Sequence, residues 1–197
     1  MRLDKIRNFI INELGSKSLA GCYFHDMEHS LEVERACIAI SENEKNISAR
    51  ELELLRIAAL SHDIGHIESM VDHEVLGCSF IIKTMPDFGY SSKDVDLVET
   101  LILATKFPHS PKTLLENIIC DADLSYLGTN DYKVQADKLK KELIELHDFE
   151  LSDEVKWLKF QIEFLEKHIF FTDYANDNFK MNKKLIIDKL KNKLTLL

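Results

Sequence analysis

The sequence has few residues of the kinds that build loop-rich or disulfide-bonded proteins. Of its 197 residues, only six are glycine, three are proline and four are cysteine. The cysteines form no C-x-x-C pair, which argues against a disulfide framework or a thiolate zinc site and indicates core residues in a reducing compartment. No apolar run is long enough to cross a bilayer, and charges interrupt the N-terminal apolar residues, unlike in a signal peptide. We therefore expect a cytoplasmic protein that does not bind membranes.

Positive charge is also in short supply. The chain has 25 lysine and arginine residues against 34 aspartate and glutamate residues, which gives a formal net charge of -9 at pH 7. A protein that binds the nucleic-acid backbone needs a basic face, so the composition argues against such a partner. It does not argue against a nucleotide substrate, because a bound divalent cation can supply positive charge locally.

Alternating strand patterns and Asn-Gly or Asp-Gly hairpin turns are missing as well. Apolar residues instead recur every three or four positions, and Ser48 with Glu51 forms a capping box ahead of one helix. These patterns predict an all-α fold, a single compact helical bundle over residues 1–197. Its motif-bearing core covers about residues 20–130, and residues 131–197 form additional C-terminal helices.

Several residues near the C-terminus are interpreted as parts of the fold and not of a functional site. His147 is expected to be a solvated residue at a helix end, and His168, flanked by aromatic residues, a core histidine with its hydrogen bonds satisfied. The lysine and asparagine residues near the C-terminus predict a solvated helix face. An aromatic and aliphatic stripe is interpreted as core and not as a platform for substrate; it consists of Trp157, Phe160, Phe164 and Ile169.

Histidine and aspartate cluster in two short segments. In "YFHDMEHSLEV", His25 and His29 are one helical turn apart and can share a face. In "SHDIGH", His62 and His66 have the same spacing, and Asp63 lies about 100° around a helix from His62. Burying such groups is costly unless something balances their charges and lone pairs. A divalent cation explains the collection, since imidazole and carboxylate suit zinc, manganese, iron and related ions.

A third segment, "IICDADLSYLG", has two aspartates after an apolar run. On a helix, Asp121 and Asp123 point about 200° apart, because successive residues are about 100° apart. Only one of the two can easily face the same point as the histidines.

Four of these residues, in chain order, resemble the ligand set of the HD superfamily of metal-dependent phosphohydrolases. They are His29, the His62-Asp63 pair and Asp123, and the resemblance extends to the neighbouring text in "AALSHDIGH" and "DADLSYLG". It implies that Asp123, and not its neighbour two residues earlier, is the last ligand. It also implies an all-α fold, and one or two divalent ions chosen from manganese, magnesium, iron, cobalt, nickel and zinc.

The implied reaction is hydrolysis of a phosphomonoester, phosphodiester or pyrophosphate bond, with a small phosphorylated substrate, expected to be a nucleotide, as the partner. "HDMEH" is similar to the H-x-x-x-H signature of cyclic-nucleotide phosphodiesterases, in which the first histidine protonates the leaving oxygen and the second binds metal. That likeness makes His25 the general acid and His29 a ligand. "HDIGH" resembles their H-D-x-x-H, so His66 would contact the bridging water or the phosphate.

The segment "DHEVLG" is similar to the region after the His-Asp pair in bacterial two-metal members. It nominates His73 as a ligand of a second metal ion or as a residue behind the first. Those members continue with His-His-Glu, whereas this chain reads "LATKFPHSP". Here Lys106 is expected to meet the phosphate, and His109 can join a second metal site only if its loop folds back.

Two other functions fit the same residues. A di-iron oxygenase of the HD type needs two metal ions, so it requires that His73 and His109 both coordinate. A non-catalytic, metal-dependent domain that senses a ligand or binds a partner would keep the metal site and show no turnover.

Overall fold

The computed structural model describes residues 2–17, 21–146 and 149–197, so the interpretation of His147 lies outside the described residues. Over these ranges the chain forms α-helices and short 3₁₀ turns, with no strand, which confirms the predicted all-α fold. No helix in this part of the chain is both long and apolar enough to cross a membrane. The α-helices are α1 (Arg2–Lys17), α2 (Met27–Asn43), α3 (Ala49–Ser61), α4 (His73–Thr84), α5 (Ser92–Ala104), α6 (Leu114–Asp123), α7 (Tyr132–Leu146), α8 (Glu154–Lys167) and α9 (Asp173–Leu194).

Side-chain caps determine where the first two site-bearing helices begin. The Asp26 carboxylate accepts a hydrogen bond from the backbone N–H of His29 at the start of α2, at 2.8 Å. Ser48 and Glu51 form the predicted capping box at the start of α3. Such caps satisfy backbone N–H groups that the first turn of a helix leaves without partners. As a result His29 lies in the first turn of α2, while His62 directly follows the last residue of α3.

Two hydrophobic clusters form the core, one from the first six helices and one mainly from the C-terminal helices. Ala122 belongs to the first cluster and Leu124 to the second, so Asp123 lies where the two clusters meet. Cysteine follows the prediction in part: Cys37, Cys78 and Cys120 are buried and free, whereas Cys22 is half-buried.

Asp121 ties α6 to the start of α9. Its carboxylate accepts hydrogen bonds from the backbone N–H of Phe171 at 2.9 Å and from the backbone N–H and hydroxyl of Thr172 at 2.7 and 2.8 Å. Burial raises the pKa of Asp121, and these donors offset only part of the rise. Asp121 therefore holds two helices together and faces away from the other aspartate of its segment.

We expect Asp121→Ala to lower the free energy of unfolding by about 3 kcal/mol, because it leaves buried donors without an acceptor. Metal content should stay at the wild-type level. Urea denaturation and elemental analysis measure the two effects, with Asp188→Ala, an exposed change on α9, as the control. Loss of metal from Asp121→Ala at a temperature where the variant is folded would contradict this assignment.

Candidate metal centre

The structure brings four of the predicted residues to one point. His29 Nε2 lies 3.1 Å from Asp123 Oδ1 and 3.6 Å from Asp63 Oδ2. His62 Nε2 lies 3.1 Å from Asp63 Oδ2 and 3.4 Å from Asp123 Oδ1. The two histidines and Asp63 each offer a ligand atom within 4.8 Å of the others. Three segments that are far apart in sequence thus converge in one buried cluster of two imidazoles and two carboxylates.

The donor atoms of this cluster fit a divalent ion. His62 Nδ1 donates to the carbonyl oxygen of Ala59 at 2.8 Å, which leaves the lone pair of a neutral ring on Nε2. His62 Nε2 and Asp63 Oδ2 are buried and have no hydrogen-bond partner among the described residues. Two acceptors facing each other in the interior are costly unless a cation or a proton lies between them.

The charges of the cluster depend strongly on one another. Burial alone would raise the pKa of Asp63, but His62 and His25 hold it well below its usual range. Burial alone would lower the pKa of His62, but Asp63 and Asp123 raise it well above its usual value. A proton and a metal ion would therefore compete for the same nitrogen of His62.

Saturating metal should raise the melting temperature of the protein, because the ion binds the folded chain and draws together helices from distant parts of the sequence. Binding to the native state alone stabilises by RT ln(1 + [L]/Kd), about 2.7 kcal/mol at a hundredfold excess over Kd. Calorimetry before and after chelation, with metal loss verified, measures the shift. An unchanged melting curve would contradict the site.

The second oxygen of Asp63 faces another group of histidines. Asp63 Oδ1 lies 3.4 Å from His73 Nε2 and 3.7 Å from His66 Nε2. The rings of His25, His66 and His73 are stacked, with centroids 4.4 and 3.8 Å apart. His66 Nε2 is buried without a partner in the described chain, and burial lowers the pKa of His66 to about 3. One carboxylate thus lies between two sets of imidazole nitrogens.

Gly65 allows this second set to form. A Cβ atom on Gly65 would lie 1.9 Å from the carbonyl oxygen of His73, far inside contact distance. Only glycine lets the backbone at the start of α4 approach so closely. The glycine of "HDIGH" therefore has a packing reason: it brings His73 to the side of Asp63.

His25 is held by a residue that the sequence interpretation missed. The carboxylate of Glu142 on α7 is fully buried; it contacts His25 Nδ1 and accepts from the backbone N–H groups of Phe24 at 2.8 Å and His25 at 3.2 Å. Burial alone would lower the pKa of His25, but the carboxylates of Asp63 and Glu142 raise it. A signal existed in the sequence, since Glu142 lies three residues after Leu139 on the buried face of α7.

Lys106, in the loop after α5, was expected to contact the phosphate of the substrate, but it points to the surface. Its ammonium group lies 2.9 Å from the Asp72 carboxylate on the surface, and Lys106 is absent from the residues that line the cavity at the site. The structure therefore gives no support for contact between Lys106 and a phosphate. A long side chain at an exposed position finds a surface partner instead.

The same loop folds back towards the metal centre at His109, as the prediction of a second metal site required. His109 Nε2 lies 4.0 Å from Asp123 Oδ2 but donates to the carbonyl oxygen of Thr105 at 3.0 Å. That nitrogen carries a hydrogen and has no lone pair to offer. The lone pair of the ring is then on Nδ1, which is buried and has no hydrogen-bond partner among the described residues. His109 therefore borders the site with Nε2 bound to the backbone and Nδ1 as its available ligand atom.

A cavity of about 180 Å³ opens beside the cluster. Its walls carry three carboxylates, those of Asp63, Glu74 and Asp123, and no lysine or arginine is found among the described residues that line it. Such a cavity repels a phosphate group unless cations are added. One divalent ion leaves the three carboxylates with one negative charge in excess, which a protonated His25 would only cancel. Two divalent ions would leave a positive excess that attracts a phosphate group.

Aromatic rings form the other side of the cavity. They belong to Phe24, Phe107, Tyr126 and Phe164. The stripe predicted as core is thus divided: Trp157 is buried, Phe160 and Ile169 are exposed, and Phe164 lines the cavity. The helical spacing of apolar residues could not distinguish these positions, because residues of a cavity wall and residues of a core recur at the same spacing.

Comparison with known proteins agrees with the geometry. The model of the HD domain matches residues 26–125, a range that contains the four clustered residues and leaves out His25 and Glu142. No curated protein matches the chain. A similar solved structure is that of a predicted HD superfamily hydrolase from an uncultured Thermotogales bacterium, with a TM-score of 0.64 and 18% identity. The similarity covers 98% of this chain and 91% of that one, and at this identity it concerns the fold.

Proposed function

The chain belongs to the HD-domain family, and from this premise and the geometry of the site we propose that it is a metal-dependent phosphohydrolase. It cleaves a phosphomonoester, phosphodiester or pyrophosphate bond in a small phosphorylated substrate. The observation that carries the proposal is the convergence of His29, His62, Asp63 and Asp123 beside a cavity whose lining has carboxylates and no lysine or arginine.

His29, His62, Asp63 and Asp123 would hold the first ion. The charge of the cavity favours a second ion, which the free oxygen of Asp63 and the nearby Nε2 atoms of the second histidine set would hold. When bound, such ions polarise a phosphoryl group and lower the pKa of water towards neutrality.

His25 supplies the proton to the leaving oxygen. It lines the cavity, and with Nδ1 held by Glu142 its Nε2 is the nitrogen left to donate. The Glu142 carboxylate also favours the protonated ring, as the carboxylate partner of a histidine does elsewhere. This pair joins the residue before the HD-domain match to α7, so in this proposal a C-terminal helix takes part in the chemistry.

A nucleotide is the substrate class that suits the aromatic side of the cavity. Phe107 is 55% exposed and offers a ring that can stack on a planar base, whereas Phe24 and Tyr126 are buried and form the apolar floor; the carboxylate side would receive the metal-bound phosphate. Stacking tolerates any base, so specificity then depends on the shape of the cavity.

Glu142→Gln should lower kcat about 10–100-fold, as happens when the carboxylate behind a metal-site histidine is removed. The loss of negative charge beside His25 should also move the alkaline limb of the kcat profile to lower pH, because the acid must be protonated to act. Glu145→Gln is the matched control, since Glu145 lies on the same helix and contacts the exposed hydroxyl of Tyr23. Equal profiles for the two variants would remove Glu142 from the mechanism.

The proposal is tested by a screen of phosphomonoesters, phosphodiesters and pyrophosphates with manganese, magnesium, iron, cobalt, nickel or zinc. We expect metal-dependent release of phosphate from at least one nucleotide substrate. Full metal occupancy without turnover on the whole panel would favour the ligand-sensing domain. Oxygen consumption by the ferrous form, with no hydrolysis, would favour the oxygenase.

A further inference from the structure

A second cavity, of about 770 Å³, lies between the end of α8 and the face of α9, and it shares no lining residue with the cavity at the metal centre. Lys180, Lys183 and Lys184 line it from α9. They stand at helical spacing i, i+3 and i+4, which places three ammonium-bearing side chains on one face. The C-terminal run predicted to be a solvated face therefore borders a cavity.

Lys183 differs from an ordinary surface lysine, because only 8% of it is exposed. Its ammonium group donates to the carbonyl oxygen of His168 at 2.5 Å and approaches His168 Nδ1 at 3.3 Å. No carboxylate of the described chain forms an ion pair with it, and burial lowers the pKa of Lys183. A buried cation without a counter-ion is costly, and an anion in the cavity would remove that cost.

His168 is a second buried residue of this cavity, and one of its ring nitrogens lacks a hydrogen-bond partner among the described residues. It is 7% exposed, it lines the same cavity, and burial lowers its pKa to about 3, so the ring is neutral. Because Nδ1 faces the Lys183 ammonium group, the ring hydrogen belongs on Nε2, and that buried nitrogen has no partner among the described residues. The prediction of a satisfied core histidine is thus right about burial and about Nδ1, and wrong about Nε2.

The charged side chains that line this cavity carry a net positive charge, which sets the charge of a ligand that would neutralise it. Glu166 is neutralised by Lys191, at 2.6 Å. Asp177 is the other acidic residue in the lining, and it forms no ion pair with the described chain. The three lysines of the lining against this one carboxylate leave two positive charges in excess. A phosphate dianion carries the matching charge.

Apolar groups surround the lysines. Phe170 packs 5.2 Å below the Lys183 ammonium group, and two further lining residues are solvent-exposed, Ile169 by 62% and Met181 by 68%. We infer that this cavity is a binding site, separate from the metal centre, for a small phosphomonoester with an apolar or aromatic portion. The lysines hold the phosphate, and the apolar side chains cover the rest of the ligand.

The test is isothermal titration, in mildly alkaline buffer, of the metal-loaded full chain with phenylphosphonate, which is an aromatic dianion under these conditions and whose phosphorus–carbon bond resists hydrolysis. Lys180→Glu/Lys184→Glu should weaken binding at this cavity at least about tenfold, because it reverses the excess charge. Lys45→Glu/Lys159→Glu makes the same charge change at exposed positions outside the cavity lining and should leave the affinity unchanged. The two exposed lysines are chosen so that the test does not depend on replacing buried Lys183.

Asp63→Asn separates this site from the metal centre, since it should leave binding at the lysine cavity intact. The inference is overturned if both double variants bind alike, or if Asp63→Asn abolishes all binding of phenylphosphonate. Hydrolytic activity plays no part in this measurement, so its outcome is independent of the proposed reaction.

Discussion

Asp63→Asn is expected to reduce turnover about 10³-fold or more, a loss at least as large as that from removing a principal electrostatic contact of a transition state. The amide keeps the size of the side chain and loses its charge. Both oxygens of Asp63 face imidazole nitrogens, at 3.1 Å for His62 and 3.4 Å for His73, so the change damages both candidate ion positions at once. Metal content should fall together with activity.

Elemental analysis and turnover of the purified variant measure both effects. Asp87→Asn, at an exposed position, is the matched control and should behave as wild type. An Asp63→Asn protein that keeps full metal content and normal turnover would remove Asp63 from the ligand set.

His25→Ala should lower kcat about 10²–10⁴-fold, the usual range for the loss of a general acid, while metal content stays near wild type. The deficit should shrink on p-nitrophenyl esters, because their leaving group needs little protonation. Turnover on two leaving groups of different pKa, together with metal stoichiometry, checks this result.

His29→Ala is the contrasting variant, since His29 follows His25 by four residues and contacts both site carboxylates. It should lose metal and activity on both kinds of substrate. If His25→Ala strips the metal, or slows good and poor leaving groups equally, the proton comes from His66 or from water.

The clustered residues were predictable because each stands in a short segment that fixes its position locally. The prediction that one aspartate of "CDAD" faces the histidines agrees with the structure, in which Asp123 meets His29 while Asp121 binds Thr172, the residue that caps α9. Helical geometry alone left the choice open, and the resemblance to the HD superfamily settled it. The capping box at Ser48 was equally local and was correct.

Residues that depend on long-range packing were not predictable in this way. Glu142 meets His25 across 117 positions of the chain; the apolar spacing of α7 places Glu142 on the buried face, but no local pattern pairs it with His25. Lys106 has the chemistry of a phosphate ligand, but its direction is set by Asp72 on a neighbouring loop. Lys183 looks solvated in a run of lysines, and only the packing of α8 against α9 buries it.

The most direct test of the central claim is a titration of metal-free protein with manganese in which bound metal and phosphate release are measured on the same samples. We expect phosphate release from a nucleotide substrate to rise in step with occupancy in the wild type and to stay at background in Asp63→Asn. Release that is unaffected by complete removal of metal would contradict the account.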